Sequence, residues 1–171
     1  MNYKDIIGVG FGPSNAALAV AFQHALSHDR RLTSREILFL ERASSLDWHP
    51  GMLLDEAEMQ ITFMKDLITL KDPTSEFTFL NYLRETQGLL NFVNCRSLYP
   101  SRLEFRNYLL WVAGKLSRRV QYGCEVRSVG PVVVGGVVRR LRIHAVQNGA
   151  DSFFETSNLV VATGGTARLP K

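Results

Sequence analysis

The architecture of this chain follows from a segment close to its start, Tyr3-Lys4-Asp5-Ile6-Ile7-Gly8-Val9-Gly10-Phe11-Gly12-Pro13-Ser14-Asn15. The pattern predicts a short buried strand, a sharp turn on glycines, and a helix that begins at Pro13, where no backbone N–H is needed. Gly8 and Gly10 lack a Cβ, so the chain can turn tightly and its backbone can approach a ligand. The free N–H groups and the positive dipole end of the helix favour a diphosphate above the turn.

The glycine turn matches most of the dinucleotide-binding fingerprint G-x-G-x-x-G/A. Gly8 and Gly10 are its first two glycines, whereas Pro13 stands at the third position with an additional Gly12 before it. The small residues that follow let a helix pack closely on a sheet; they are Ala16, Ala17, Ala19 and Ala21. An ordinary strand-to-helix turn is the alternative, but the context favours dinucleotide binding. The predicted contacts are Gly8, Gly10, Gly12, Pro13 and Ser14.

A second apolar run, Ile37-Leu38-Phe39-Leu40, follows the first helix, which we expect to end near Ala25. A strand, helix and strand in this order imply parallel pairing. Glu41 ends the second strand, where an acidic side chain in such folds accepts hydrogen bonds from the hydroxyls of a nucleotide ribose. It lies somewhat beyond the usual spacing of roughly 20 residues from the glycines. A surface carboxylate is the alternative, and we favour the ribose role.

Length and composition indicate a globular chain with one core. Of the 171 residues, 46% are hydrophobic and 21% are charged, which argues against disorder. The net charge of +4 is mild, and its densest cluster is Arg139, Arg140 and Arg142. This cluster is more typical of a solvated strand face than of a nucleic-acid-binding patch. We therefore expect no nucleic acid partner.

The cysteines and the apolar runs bear on the compartment. Cys95 and Cys124 form neither a disulfide framework nor a metal site, so we expect a reducing cytoplasm and no metal. A signal peptide is not expected, because a strand begins at once and Asp5 interrupts it. No apolar run approaches the roughly 20 residues that a membrane span requires.

The segment from Arg42 to Thr74 has weak periodicity, and long irregular segments in compact domains are commonly functional. His49 alone is more typical of a structural histidine than of a catalyst. Lys65 alone would be a solvated charge, but its neighbours are apolar; they are Ile61, Phe63, Met64 and Leu67. A cation at an apolar site needs a partner, which is either Asp66 or the carboxylate of a ligand.

Helices and then strands are expected in the rest of the chain. One helix covers about Glu76 to Thr86 with Gly88 as its stop, and Ser101 opens another with the form of a capping box. Its buried stripe has helical spacing and consists of Phe105, Tyr108, Leu109, Val112 and Leu116. Both apolar stripes are expected to be core without chemistry.

From residue 120 onward the pattern predicts strands. After a short strand over 120–122, segments over 125–129, 137–146 and around 153–154 form a three-stranded meander with turns at Gly135-Gly136 and Asn148-Gly149. A last buried strand over 159–161 ends in small residues, including Thr163 and Gly164, as expected where a backbone closes on a ligand. The predicted fold class is therefore α/β, with a parallel sheet, a β-meander and inserted helices.

The motifs together resemble a known family. The order of the motifs resembles that in the flavin domain of two-dinucleotide-binding flavoproteins. Their residue sequences are similar to those of the lysine/ornithine N-monooxygenase family. The similar motifs are the glycine turn, Trp48-His49, Met59-Gln60, Lys65-Asp66-Leu67, Asp72-Pro73-Thr74-Ser75 and Ala162-Thr163-Gly164-Gly165. The resemblance covers nearly the whole chain in the correct order. Two of the blocks resemble in particular the ornithine N5-hydroxylases of bacterial hydroxamate siderophore pathways; they are Gly-Phe-Gly-Pro-Ser-Asn and Phe-Met-Lys-Asp-Leu.

The resemblance implies a Rossmann-like FAD-binding domain over residues 1–171. It implies that FAD contacts the glycine turn, the segment from Glu41 to His49, Gln60, the backbone near Val126, and the Thr163-Gly164 segment. Within 41–49 the implied contacts are Glu41, Arg42, Trp48 and His49. Lys65 would meet the carboxylate of the amino-acid substrate.

The family also implies the reaction. NADPH would reduce the flavin, molecular oxygen would add to give a C4a-hydroperoxide, and the neutral side-chain amine of L-ornithine would take the distal oxygen. No side chain of this chain is predicted to be catalytic, because the cofactor carries the difficult step. Lysine or a diamine could replace ornithine, although Lys65 argues against a substrate without a carboxylate.

Members of the family are much longer and carry a separate NADPH domain. We therefore expect this chain to be the N-terminal part of such an enzyme, from either a truncated gene product or an incomplete gene model. A homo-oligomer of the full-length protein is left open. A flavin-binding module without turnover is the second hypothesis, and turnover by this part alone is not predicted. A disulfide reductase would need paired redox cysteines, and Cys95 and Cys124 are too far apart in sequence.

Overall fold

A computed structural model describes residues 2–165, and these residues divide into two compact units. The described parts of the first unit are residues 2–15, 34–45 and 118–165. The second unit consists of residues 16–33 and 46–117. The glycine turn and all six strands belong to the first unit, whereas the α-helices after the first one belong to the second.

The first unit contains one six-stranded sheet in the order β3-β2-β1-β6-β5-β4. The strands are β1 (Asn2–Val9), β2 (Ile37–Leu40), β3 (Val120–Gln121), β4 (Cys124–Val134), β5 (Val137–Gln147) and β6 (Ala150–Val161). Strand β1 pairs in parallel with both β2 and β6, and β2 pairs in parallel with β3. The predicted parallel pairing is confirmed there, while β4, β5 and β6 form the predicted antiparallel meander.

Strand β6 differs from the prediction, which placed a meander strand around residues 153–154 and a separate last strand over 159–161. A single strand of 12 residues covers both segments. Its first part pairs antiparallel with β5 and most of its length pairs in parallel with β1. No glycine or proline interrupts residues 150–161, so nothing in the backbone ends the strand between them.

Apolar side chains hold the sheet, and a carboxylate fixes its parallel crossover. The buried cluster consists of Ile7, Leu40, Cys124, Ile143, Ala145 and Phe154. Asp5 of β1 accepts hydrogen bonds from the Glu36 N–H at 2.8 Å and the Arg35 guanidinium at 2.7 Å, just before β2 begins. These bonds lower the pKa of the Asp5 carboxyl, the Glu36 N–H more than Arg35.

Helix α1 (Pro13–His28) begins in the first unit and continues in the second, three residues beyond the predicted end at Ala25. Within the second unit, α2 (Phe79–Glu85) is capped by the hydroxyl of Thr78 rather than beginning at Glu76. The predicted end of this helix near Thr86 is confirmed, and the Gly88 N–H donates to the Leu83 carbonyl at 2.8 Å, but Gly88 is not the left-handed residue that ends the helix. Gln87 takes the left-handed conformation with φ 61°, and Gly88 begins a further helix, α3 (Leu89–Asn94).

Helix α4 (Arg102–Lys115) confirms the predicted start at Ser101, whose hydroxyl accepts a hydrogen bond from the Glu104 N–H at 3.0 Å. The reciprocal half of the capping box is absent, because the Glu104 carboxylate accepts a hydrogen bond from the Tyr82 hydroxyl instead. The predicted stripe is buried and forms the aromatic core of this unit with α2.

Among residues 2–165, no helix combines the length and the apolar character needed to cross a bilayer.

Candidate functional site

The glycine turn after β1 is held by its own backbone. Gly10 has φ +84°, and a Cβ at this position would lie 2.5 Å from the carbonyl oxygen of Ala162. A side chain is therefore excluded twice, by conformation and by contact. The Gly10 N–H donates to the Leu40 carbonyl at 2.9 Å, which joins the turn to the end of β2.

Glycine is needed at position 8 for a packing reason that the sequence did not predict. Its φ lies outside the left-handed region, and a Cβ there would lie 2.3 Å from the ring of Phe39 and 3.1 Å from Nδ2 of Asn15. The missing side chain at Gly8 makes room for the ring of Phe39 in the core. Packing thus requires glycine at this position, and the predicted ligand contact of Gly8 stays a prediction.

A cavity of about 380 Å³ opens at the carboxyl ends of the parallel strands of the first unit. This volume falls in the range of ligand sites in proteins. Six of the predicted cofactor residues line it: Gly10, Glu41, Arg42, Val126, Thr163 and Gly164. Its other lining residues are Val9, Leu40, Cys124, Glu125 and Gly165. The fold thus brings together residues from both ends of the chain at one edge of the sheet.

Glu41 binds backbone on both of its carboxylate oxygens. Oε2 accepts a hydrogen bond from the Phe11 N–H at 2.6 Å, and Oε1 accepts one from the Ala43 N–H at 2.7 Å. The carboxylate is therefore fixed between the glycine turn and the segment after β2. An ionised carboxylate offers about four acceptor positions, so two remain for hydroxyl donors.

The start of α1 fits an anionic group. Among residues 2–165, the backbone N–H groups of Gly12 and Ser14 have no hydrogen-bond partner, and Pro13 contributes no N–H. A Cβ at Gly12 would meet no atom within 4 Å, so the backbone there is open. Free amides at the positive end of a helix dipole are the donor set that a phosphate requires.

Four predicted site residues belong to the second unit: Trp48, His49, Gln60 and Lys65. The ring of Trp48 packs on Phe105 and His49, and the guanidinium of Arg102 lies 4.7 Å from its centroid. His49 takes the left-handed conformation with φ 47°, which is uncommon for a residue other than glycine. Gln60 is exposed and follows Met59, whose N–H donates to the Pro100 carbonyl.

Lys65 ends a 3-10 turn over Phe63–Lys65 and is exposed, contrary to the expectation of an apolar setting. It forms no ion pair within the part of the chain that the structure describes. Asp66 is excluded as its partner, because its carboxylate accepts hydrogen bonds from three backbone N–H groups and one hydroxyl; the donors are Ile68, Thr69 and Phe79. The ammonium group of Lys65 is thus available to a ligand.

Sequence reasoning missed two residues that shape the cavity. Cys124 is buried in its lining, and burial raises the pKa of its thiol, which disfavours the nucleophilic thiolate form. Asn15 is 1% exposed and its side chain donates to the turn. A buried asparagine in the first turn of a helix was the available signal, since such a side chain must find partners.

Comparison with known proteins gives consistent matches. The model of the L-lysine 6-monooxygenase/L-ornithine 5-monooxygenase family matches residues 2–171. The L-ornithine N(5)-monooxygenase of Pseudomonas aeruginosa is 41% identical over 168 residues, which cover 98% of this chain and 37% of that protein.

Solved structures agree with this match. An ornithine hydroxylase structure from Pseudomonas aeruginosa has a TM-score of 0.92 at 41% identity, over 98% of this chain and 40% of that one. A Kutzneria sp. 744 ornithine N-hydroxylase with reduced FAD, NADP+ and L-orn has a TM-score of 0.90 at 37% identity, over 98% and 39% of the two chains. The present chain thus spans less than half the length of these relatives. Because the family model matches residues 2–171 and the fold agrees with these solved structures, the chain belongs to the L-lysine 6-monooxygenase/L-ornithine 5-monooxygenase family.

Proposed function

We propose that the protein is the flavin domain of an FAD- and NADPH-dependent monooxygenase that hydroxylates the side-chain amine of L-ornithine for siderophore biosynthesis. The observation that carries the proposal is the cavity at the glycine turn, lined by Gly10, Glu41 and the Thr163-Gly164 segment. The relatives named for ornithine support the choice of substrate.

The chain's own groups are suited to the adenosine and diphosphate part of FAD. The free amides of Gly12 and Ser14 would bind the diphosphate, and the remaining acceptor positions of Glu41 would bind the ribose hydroxyls. Val126 and Arg42 line the same cavity and would contact the adenosine. A negative carboxylate beside the ribose disfavours a nucleotide with a 2′-phosphate, so FAD rather than NADPH is proposed for this cavity.

FAD supplies the redox chemistry with NADPH and molecular oxygen when it is bound. The task proposed for Lys65 is to orient the substrate through its carboxylate, since its ammonium group is exposed and has no carboxylate partner within residues 2–165. Trp48, His49 and Gln60 are proposed as further flavin contacts. Such a site must also hold the substrate amine in its neutral form and exclude water.

The test is to titrate FAD into the purified chain and follow the flavin absorbance and fluorescence. NADPH, oxygen and one amine are then added to the FAD-loaded full-length enzyme, in parallel reactions with L-ornithine, L-lysine and cadaverine, and hydroxylamine product is measured. We expect FAD uptake by the chain, and product with L-ornithine from the full-length enzyme. Product with L-lysine or cadaverine would reassign the substrate, and FAD uptake without product from the full-length enzyme would identify a flavin-binding module. A chain that takes up no FAD would contradict the proposal.

A further inference from the structure

Asn15 is the most deeply buried polar side chain near the cavity that the proposed function leaves without a role. It stands at the third position of α1 and is 1% exposed. Asparagine is unfavourable within a helix and buried amides are costly without hydrogen bonds. Its presence there therefore requires a specific set of partners.

Those partners are the last carbonyl of β1, that of Val9, and the first carbonyl of the glycine turn, that of Gly10. Nδ2 of Asn15 donates to the Gly10 carbonyl at 2.7 Å and to the Val9 carbonyl at 3.3 Å. The Val9 carbonyl also accepts the Ala162 N–H at 2.9 Å. One amide thus joins the helix, the turn and the start of the Ala162–Gly165 segment, and the last two contribute to the cavity lining.

The turn around this amide is closed from the opposite side as well. The Phe11 N–H is held by Glu41, and the Gly10 N–H is held by Leu40. With these groups engaged, the amides of Gly12 and Ser14 remain without partners among the described residues. The hydrogen bonds of the turn therefore hold its two free amides in place in the ligand-free chain, which reduces the ordering cost of binding a phosphate.

We propose that Asn15 is a positioning residue that holds the glycine turn in the conformation which binds the diphosphate of a dinucleotide. The proposal rests on the flavin-domain function proposed above. Asn15 touches no part of the ligand and acts through the Gly10 and Val9 carbonyls. Removing its amide should affect ligands that carry a diphosphate more than ligands that occupy only the adenosine part of the cavity.

The experiment compares Asn15→Ala with Asn158→Ala in the whole chain. Asn158 is the control, because its Nδ2 also donates to a carbonyl of β1, that of Asp5 at 3.0 Å, in the middle of the strand and away from the turn. Dissociation constants are measured for FAD, ADP and adenosine by flavin fluorescence and ligand-observed NMR, below the melting temperature of each variant. Losing the amide should weaken the binding of FAD and of ADP by about tenfold, as expected for the loss of one or two hydrogen bonds.

Adenosine affinity should change by less than about twofold in Asn15→Ala, and all three affinities should stay unchanged in Asn158→Ala. Unchanged FAD and ADP affinities in Asn15→Ala would overturn the proposal. An equal loss for adenosine and ADP would also overturn it, since it would indicate a purely structural role. If Asn15→Ala does not fold, Asn15→Ser replaces it; its shorter hydroxyl should give an intermediate loss for ADP, again without a loss for adenosine.

Failure of the flavin site itself would look different. The wild-type chain would then bind neither FAD nor ADP, whatever residue stands at position 15, and the Asn15 proposal would fall with that site. A wild-type chain that binds both, next to a variant with unchanged selectivity, would reject Asn15 alone.

Discussion

Substitutions at two glycines of the turn are predicted to have different effects, one on stability and the other on FAD binding. Gly10 has a positive φ and no room for a Cβ, whereas Gly12 has neither restriction. We expect Gly10→Ala to lower the melting temperature, because a left-handed alanine costs roughly 1–2 kcal/mol before the contact with Ala162 is counted. Gly12→Ala should melt like the wild type but bind FAD about tenfold more weakly. Circular dichroism melts and FAD titrations of both variants check this. Equal melting temperatures for the two variants would contradict the steric conflict expected for a Cβ at Gly10.

Lys65 is predicted to bind the substrate and not the flavin. In the full-length enzyme, Lys65→Ala should weaken L-ornithine affinity by roughly ten- to a hundredfold, the usual value of a charge-assisted hydrogen bond. Flavin content should be unchanged. Lys71→Ala is the matched control, since Lys71 is also exposed and forms no ion pair among the described residues. Unchanged ornithine affinity in Lys65→Ala would remove the assigned role.

At the scale of residues, the sequence could predict those positions at which neighbouring residues in the chain decide which amino acid is required. Gly10 and Glu41 belong to a motif in which conformation and spacing are visible in the residue order. Gly8 could not be explained in this way, because its neighbour Phe39 comes from another strand. The role of Asn15 likewise depends on which carbonyls the fold brings within reach of its amide.

At the scale of elements, Asp5 couples β1 to the start of β2, and this coupling should depend on pH. Its folded pKa lies below the ordinary value of 3.8, mainly because of the Glu36 N–H and then Arg35. The unfolded chain therefore binds the proton more tightly, so the contribution of Asp5 is complete above that value and is lost as the pH falls through the folded pKa.

We expect the free energy of unfolding to fall more steeply with decreasing pH in the wild type than in Asp5→Asn, which cannot take up that proton. The difference should appear between about pH 5 and pH 3, the range that surrounds the usual pKa of an aspartate. Urea denaturation at several pH values measures the two slopes. Asp55→Asn is the control, because Asp55 is exposed and outside any ion pair of residues 2–165. Parallel slopes for wild type and Asp5→Asn would show that the Glu36 and Arg35 bonds do not perturb Asp5.

Elements with strong local signals could be predicted and weakly marked ones could not. The strand and helix at the glycine turn, β2 and the helix after Ser101 follow from glycines, apolar runs and a capping hydroxyl. Helix α3 was missed because it has six residues and no side-chain cap. The continuity of β6 was missed because it depends on pairing with β1, far away in sequence.

For the whole molecule, FAD binding should appear as thermal stabilisation. A ligand at about 100 times its dissociation constant adds about 2.7 kcal/mol to the free energy of unfolding, or roughly 5–10 °C in melting temperature for a chain of this size. FMN lacks the adenosine that the cavity of the first unit is proposed to bind, so it should shift the melting temperature by less than about 2 °C. Differential scanning calorimetry with each flavin measures the contrast, and equal shifts would argue against an adenosine site.

Strand β6 limits how the family can change during evolution. The same uninterrupted backbone that pairs with β5 near Gln147 continues beside β1 and ends just before the cavity wall formed by residues 163–165. Inserting one residue inside it would displace that wall by about 3.3 Å and turn every following side chain to the opposite face. Length variation among relatives should therefore collect at the Gly135-Gly136 and Asn148-Gly149 tips, where added residues leave the strand unchanged.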